Sequence, residues 1–288
     1  MNGQHLSRAL RENKFVRFLT LPAARIQAKI RTRRFQKSED SQYLKGLKDI
    51  HKGERCFIIG NGPSLLPKDL DTLLKAGEIC FASNRIYNIY SQTSWRPTYY
   101  MCVDIFVAVD EIDNIKRIGE YPKFINYKCA AHGRAPTDHI HYLCTSDRVI
   151  LDPYKMASDT LSSDLSKCGT RTGTVTVNAI ELAIYMGFKT IYLLGVDNNY
   201  SVKRLKDGTI FVDPSVQSSY FKGAEGSKNP ETSIQTVEYL NESYEVAKKF
   251  SKEEGVKVYN ATRGGKLETF ERVDFDELMG QMKHERGE

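Results

Sequence analysis

The residues most suited to chemistry lie at the end of an apolar run, in RCFIIGNGPS, residues 55–64. Phe57, Ile58 and Ile59 give way to Gly60, Asn61, Gly62, Pro63 and Ser64. Side chains of these types bind rather than react. Glycines let a backbone approach a ligand closely, and N–H groups at the start of the helix that follows, DLDTLL, can take a phosphate. The other reading is a tight turn that simply needs Gly and Pro. Further apolar runs end in the same kind of residue. Ser83 and Asn84 follow ICFA, and Asp104 follows YYMCV. Gly195, Asp197, Asn198, Asn199 and Tyr200 follow IYLL, and Asn260, Ala261 and Thr262 follow VKVY. Small neutral hydrogen-bonding groups at several strand ends imply a cleft that reads a nucleotide or sugar through Asn, Ser and Tyr. No GxxxxGK[ST] is present, and no GxGxxG follows the first strand, so neither common phosphate loop applies.

The elements that must position these residues alternate. ERCFIIG reads as a buried parallel strand. EICFASNRIY and PTYYMCVDIFVAV read as the second and third strands, with PKFINYKCA, HIHYLCT, KTIYLLGVD and VKVYNAT as further ones. TVTVNAIELAIYMG reads as a helix that stops at Gly187, and ETSIQTVEYLNESYEVAKKFSKEEG as an amphipathic helix. A helical, charged tail begins near Arg272. The expected fold is α/β and Rossmann-like: a mostly parallel sheet with helices on both faces, and ligands beyond the carboxyl ends of the strands. Residues 46–288 form one domain in this reading, and residues 1–45 a basic amphipathic helical extension interrupted at Pro22.

Charge is distributed unevenly. Residues 1–37 hold ten Lys/Arg and one acid, about +9, which leaves about −3 for the rest of a chain whose net charge is +6. A mildly acidic body is a poor nucleic-acid surface, so no nucleic-acid partner is expected. The basic segment, with Leu6, Leu10, Phe15, Phe18 and Leu19 near helical spacing, suits an anionic membrane surface. Packing on its own domain or on a partner subunit is the equal alternative. No run is long and apolar enough to span a bilayer. The six cysteines lack CxxC spacing and read as reduced, mostly buried thiols of a cytoplasmic protein. His132, His139 and His141 near Asp138 are a weak metal motif, and no metal is assigned.

IIGNGPSL, GTVTVNAIELAIYMGFKTIYLLGVDNNY and VYNATRGGKLETFERVDFDEL together resemble one superfamily over roughly residues 50–278. It contains the bacterial sialyltransferases of lipooligosaccharide synthesis. It also contains the MptE-like group, with flagellin-glycosylation proteins and an archaeal 6-hydroxymethylpterin diphosphokinase. The resemblance implies that Gly60, Asn61, Gly62 and Ser64 hold the CMP part of a CMP-sugar, and that Asn84 lines the same donor site. Thr174 to Thr176 would contact cytidine or ribose. Gly195 and Asn199 would line the cleft. Tyr200 and Tyr220 would meet the leaving phosphate, and Arg171 would approximate a family arginine. Asp104 stands where the sialyltransferases have an asparagine. Their catalytic histidine has no counterpart, because no histidine occurs between His141 and His284. Asp104, Asp197, Asp213, Glu225 and Glu231 are the acids that could replace it.

These resemblances imply a glycosyltransferase for surface polysaccharide or glycolipid. Its donor would be a CMP-linked, sialic-acid-like sugar and its acceptor a glycan or lipid-linked glycan. No cofactor would be required, and the enzyme would sit peripherally on the inner membrane face. An ATP- and Mg²⁺-dependent diphosphokinase, with Asp104 and Asp197 near the metal, is the alternative; a non-catalytic nucleotide-binding relative is the third. Relatives of the fold and the exposed N-terminal segment also admit a homo-oligomer.

Overall fold

The computed structural model describes residues 14–146, 156, 158–204, 209–213, 215–216, 220–221 and 236–286. Its centre is a sheet built from β1 (Arg55–Ile59), β2 (Cys80–Ser83), β3 (Tyr99–Cys102), β4 (Lys123–Asn126), β5 (Ile140–Leu143) and β6 (Thr190–Leu194). After the antiparallel hairpin β7 (Val202–Arg204) and β8 (Ile210–Val212), the strands β9 (Lys257–Asn260) and β10 (Glu271–Arg272) complete it. The order is β10-β9-β6-β1-β2-β3-β4-β5, and every pairing in it is parallel.

Parallel strands need covering on both faces, which is why their sequences are apolar without alternation. Along β1, Cys56 and Ile58 face one core while Phe57 and Ile59 face the other. The first core is covered by α2 (Glu39–Leu47), α6 (Val175–Tyr185) and α7 (Val237–Glu253), through residues such as Leu44, Ile180 and Tyr244. The second is covered by α3 (Pro67–Lys75), α4 (Ile105–Asp110), α5 (Ile112–Arg117) and α8 (Phe275–Arg286), through Leu70, Val107, Ile115 and Phe275. Each fully buried Phe or Ile contributes about 1.5–3 kcal/mol relative to exposure.

Several strands are shorter than their apolar runs suggest. β2 stops at Ser83, and residues 86–92 turn into a 3₁₀ helix. The IFVAV run after β3 is helical, although β-branched residues favoured a strand. Asp104 decides this by accepting from the N–H of Phe106 (2.9 Å) and Val107 (3.4 Å), which caps α4. The β7–β8 hairpin was not expected in the polar stretch after β6. At the N-terminus, α1 (Lys14–Phe35) runs through Pro22 rather than stopping there, at the cost of one helix hydrogen bond. Phe35 is buried in the first core, and Asp40 of α2 accepts from Arg134 and from the Tyr142 N–H of β5. No described helix is long and apolar enough to cross a membrane.

The strand order places the site. From β1 the chain moves outward through β2, β3, β4 and β5, then returns through α6 to β6 on β1's other side. Connections thus diverge between β1 and β6, opening a crevice at their carboxyl ends.

Candidate functional site

Gly60 and Gly62 stand in that crevice, but their missing side chains make room for protein. A Cβ on Gly60 would lie 2.3 Å from the Gly195 carbonyl oxygen, and one on Gly62 1.7 Å from Asp197 Oδ2. The turn is pressed onto the end of β6 and tied to it by N–H bonds from Gly60 to Leu194 O and from Gly62 to Gly195 O, both 2.8 Å. Ser64 Oγ donates to Asp197 Oδ2 at 2.7 Å across the same seam.

The phosphate expected at the next helix start has a competitor there. Asp69 accepts from the Leu66 N–H at the start of α3, and Arg263 pairs with the same carboxylate. The helix N-terminus is therefore neutralised from within.

What the crevice offers instead is a row of amide oxygens. Asn61, after β1, donates Nδ2 to Ser83 O at 3.1 Å, which fixes the amide and turns Oδ1 away. Asn198, after β6, donates Nδ2 to Asn241 Oδ1 at 2.8 Å. Oδ1 of Asn61, of Asn198 and of Asn84, which follows β2, is buried with no hydrogen-bond partner. An unsatisfied buried acceptor costs about 1–3 kcal/mol, so three together call for donors that the described residues of the chain do not supply. β6, β1 and β2 are neighbours, so the row spans roughly 10 Å. Asn84 and Asn198 both hold φ +50°, a left-handed conformation that asparagine tolerates and that gathers at functional sites. Asn199 is half-buried in the same turn, and Gly195 just before it has φ +70°.

Polar residues at the end of β9 serve the scaffold. Thr262 Oγ1 accepts from the Val196 N–H, and Asn260 bonds the Leu267 carbonyl through Nδ2.

The two strand-end acids differ. Burial raises both carboxyls above the ordinary aspartate range. Asp197 is packed against Gly62 and held by Ser64, so its place is in the seam. Asp104 gives Oδ1 to the α4 N–H groups, which leaves Oδ2 outside the cap. Asp213 is engaged by Ser215 and by Lys203, which hold its carboxyl well below the usual range. Glu225 and Glu231 lie outside the described residues.

Tyrosine hydroxyls gather over the crevice. The rings of Tyr200 and Tyr220 meet edge to face at 6.1 Å, and Phe221 N–H donates to Asn61 O at 2.8 Å. Burial pushes both hydroxyls up, and Asp104 and Arg85 lie within electrostatic reach of Tyr220. Tyr244 of α7, not singled out from sequence, joins them: burial raises its hydroxyl to about 12, against the opposing influence of Thr176 and Thr174 beside it. The signal was its place on the buried stripe of an amphipathic helix, where a Tyr carries a polar tip inward. Thr174 itself caps α6 by accepting from the Thr176 N–H. Arg171 stands at the rim with its side chain exposed and its N–H donated to Ser146 Oγ.

Glu181 of α6 was also missed. It is fully buried and accepts from the N–H groups of Ser162 (2.8 Å) and Thr170 (3.0 Å), fastening the loop that leads to Thr174. Burial outweighs these bonds and raises its carboxyl to about 7. A raised folded-state value favours the neutral acid in the native state. Stability should therefore fall by about 3 kcal/mol as pH rises from about 4.5 to about 7, then level off. Urea titrations against Glu181→Gln should show the wild-type disadvantage growing across that window; parallel profiles would contradict it.

Among the described residues no group of three metal-ligating side chains gathers. His141 stacks on Tyr43 at 3.5 Å, and burial lowers it to about 4, as suits a packing residue.

The family described as 6-hydroxymethylpterin diphosphokinase MptE-like matches residues 32–203, more than half of the chain. The chain belongs to the MptE-like family. The match takes in the crevice of this MptE-like protein from Gly60 through Tyr200. A solved structure similar to it is the MAf glycosyltransferase from Magnetospirillum magneticum AMB-1, at 12% identity and a TM-score of 0.46. That alignment covers 88% of the MptE-like chain and 40% of the other, so the chain spans well under half of that protein's length. No curated protein matches the chain.

Proposed function

We propose that this MptE-like chain is a glycosyltransferase that uses a CMP-linked, sialic-acid-like donor in bacterial surface polysaccharide or glycolipid synthesis. The observation that carries the reading is the row of buried amide oxygens on Asn61, Asn84 and Asn198. Acceptors in a row suit the hydroxyls of ribose or sugar and the amino group of cytosine. They do not suit a phosphate, which needs donors. The hydroxyls of Tyr200 and Tyr220 supply those, so charge on the leaving CMP is met by neutral hydrogen bonds.

Asp104 is the base in this proposal. Its raised carboxyl lies closer to neutral pH than an ordinary aspartate, which favours proton transfer. Oδ2 takes the proton of the acceptor hydroxyl, and the acceptor oxygen bonds the anomeric carbon. The bond from that carbon to the CMP phosphate oxygen breaks, and CMP leaves.

The family's own description favours a second reading, an ATP- and Mg²⁺-dependent diphosphokinase. The acids fit a Mg²⁺ site poorly. Each already spends an oxygen on protein donors, Asp104 on the N–H groups of Phe106 and Val107 and Asp197 on Ser64. Titration calorimetry with CMP and with ATP, each with and without Mg²⁺, separates the two. Metal-independent CMP binding, lost in Asn61→Ala with the fold intact, is expected. Mg²⁺-dependent ATP binding without CMP binding would overturn the assignment.

The basic segment would bring the enzyme to a lipid-linked acceptor. On α1, Ile26 and Ile30 are exposed one turn apart among Arg25, Lys29, Arg33 and Arg34. Flotation with anionic liposomes should retain the full chain and lose a chain lacking residues 1–37; equal flotation would remove this part of the proposal.

A further inference from the structure

We propose that Cys144 and Cys168 form a reactive dithiol site that closes reversibly to a disulfide, with a low-molecular-weight disulfide as its oxidant. The two sulfurs lie 3.1 Å apart although the residues are 24 apart in sequence. Their backbones hold them there. Cys144 follows β5, and Cys168 precedes Gly169, which pairs with Thr145 as a parallel bridge. Gly169 N–H donates to Cys144 O and Ser146 N–H to Gly169 O, both at 2.8 Å. Closing the bond shortens that contact to about 2 Å.

The chemistry is confined to this pair. The other four cysteines are fully buried, and burial pushes each of their thiols up, which keeps them inert. Cys144 behaves differently. The Cys168 thiol bonds it, and the positive charges of Arg31 and Lys128 favour its thiolate. Cys168 is the half-exposed member and the one a small molecule reaches.

One proton leaves the pair: the thiolate rests on Cys144, which holds the Cys168 thiol protonated, and that proton passes across the short contact to Cys144 as Cys168 becomes the nucleophile. It attacks one sulfur of the external disulfide and releases one thiolate. Cys144 then loses its proton, attacks Cys168 in the mixed disulfide and releases the second. The protein loses two electrons and two protons, and one disulfide becomes two thiols. The new bond would pin the segment that runs from Cys168 through Arg171 to Thr174, directly ahead of α6.

The test needs no substrate, so its outcome is independent of the glycosyltransferase reading. The full chain is equilibrated in glutathione buffers of increasing oxidation, alkylated without denaturation and then under denaturation, and mapped by mass spectrometry. A species lighter by two hydrogens, with a linked Cys144–Cys168 peptide that dithiothreitol releases, is expected. Cys144→Ser should instead accumulate glutathione on Cys168, and Cys168→Ser should acquire neither modification. Six alkylated cysteines in the most oxidising buffer would overturn the proposal. So would a stable wild-type mixed disulfide that Cys144 fails to resolve, or a linked peptide mapping to other cysteines.

Discussion

Asp104→Asn should lower kcat by a factor of about 10²–10⁴ while leaving nucleotide affinity essentially intact. The substitution is nearly isosteric. An asparagine Oδ1 still accepts from the N–H groups of Phe106 and Val107, so α4 keeps its cap and the crevice its shape. What changes is the second oxygen, which becomes an amide nitrogen that cannot take a proton. Asp104→Ala would mix two effects, because it also removes the cap at a cost of about 1 kcal/mol. The measurement is transfer from a CMP-sugar to acceptor, with CMP release followed separately. Unchanged kcat would clear Asp104 of the role and move the search to Glu225 and Glu231.

Gly60→Ala should be the most damaging one-carbon change in the crevice. The added Cβ would sit 2.3 Å from the Gly195 carbonyl oxygen, and backbone holds both sides of that contact. A flexible side chain could swing away, but two paired strands cannot. The ends of β1 and β6 must separate, at a cost of about 1–3 kcal/mol or more. Separation also moves Asn61 relative to Asn198, so nucleotide affinity should collapse together with the drop in melting temperature. Gly46→Ala is the matching control. It lies in α2 with open space around it, so the same methyl group should stabilise by about 0.5–1 kcal/mol. If Gly60→Ala melts and binds like the wild type, the seam between β1 and β6 is softer than the packing implies.

Much of the fold was legible because it rests on burial. Apolar runs such as CFII and IYLL mark strands covered on both faces, and Gly60, Ser83 and Gly195 mark where they end. The site was legible as a set of strand ends but not as a set of roles. Nothing in GNGPS says that the glycines yield space to β6 rather than to a ligand, because that depends on a residue more than a hundred positions away. The helix after β3 was hidden by its β-branched residues, since one carboxylate at Asp104 outweighs their preference. Glu181 and Tyr244 read as ordinary members of amphipathic helices. Their function depends on which loop or hydroxyl the fold brings opposite them.

The seam also bears on the order in which the molecule is made. Ser64 and Asp197, which close it, are 133 residues apart, and β1 gains its second neighbour only when β6 docks. A nascent chain that has emerged through β5 carries Asn61, Asn84 and Asp104 but none of the residues that face them across the crevice. Contacts this distant in sequence are slow to form, because the intervening chain must first be ordered. Ligand binding should therefore appear only at the last stage of folding, after secondary structure, and nucleotide affinity measured during refolding would time the arrival of β6.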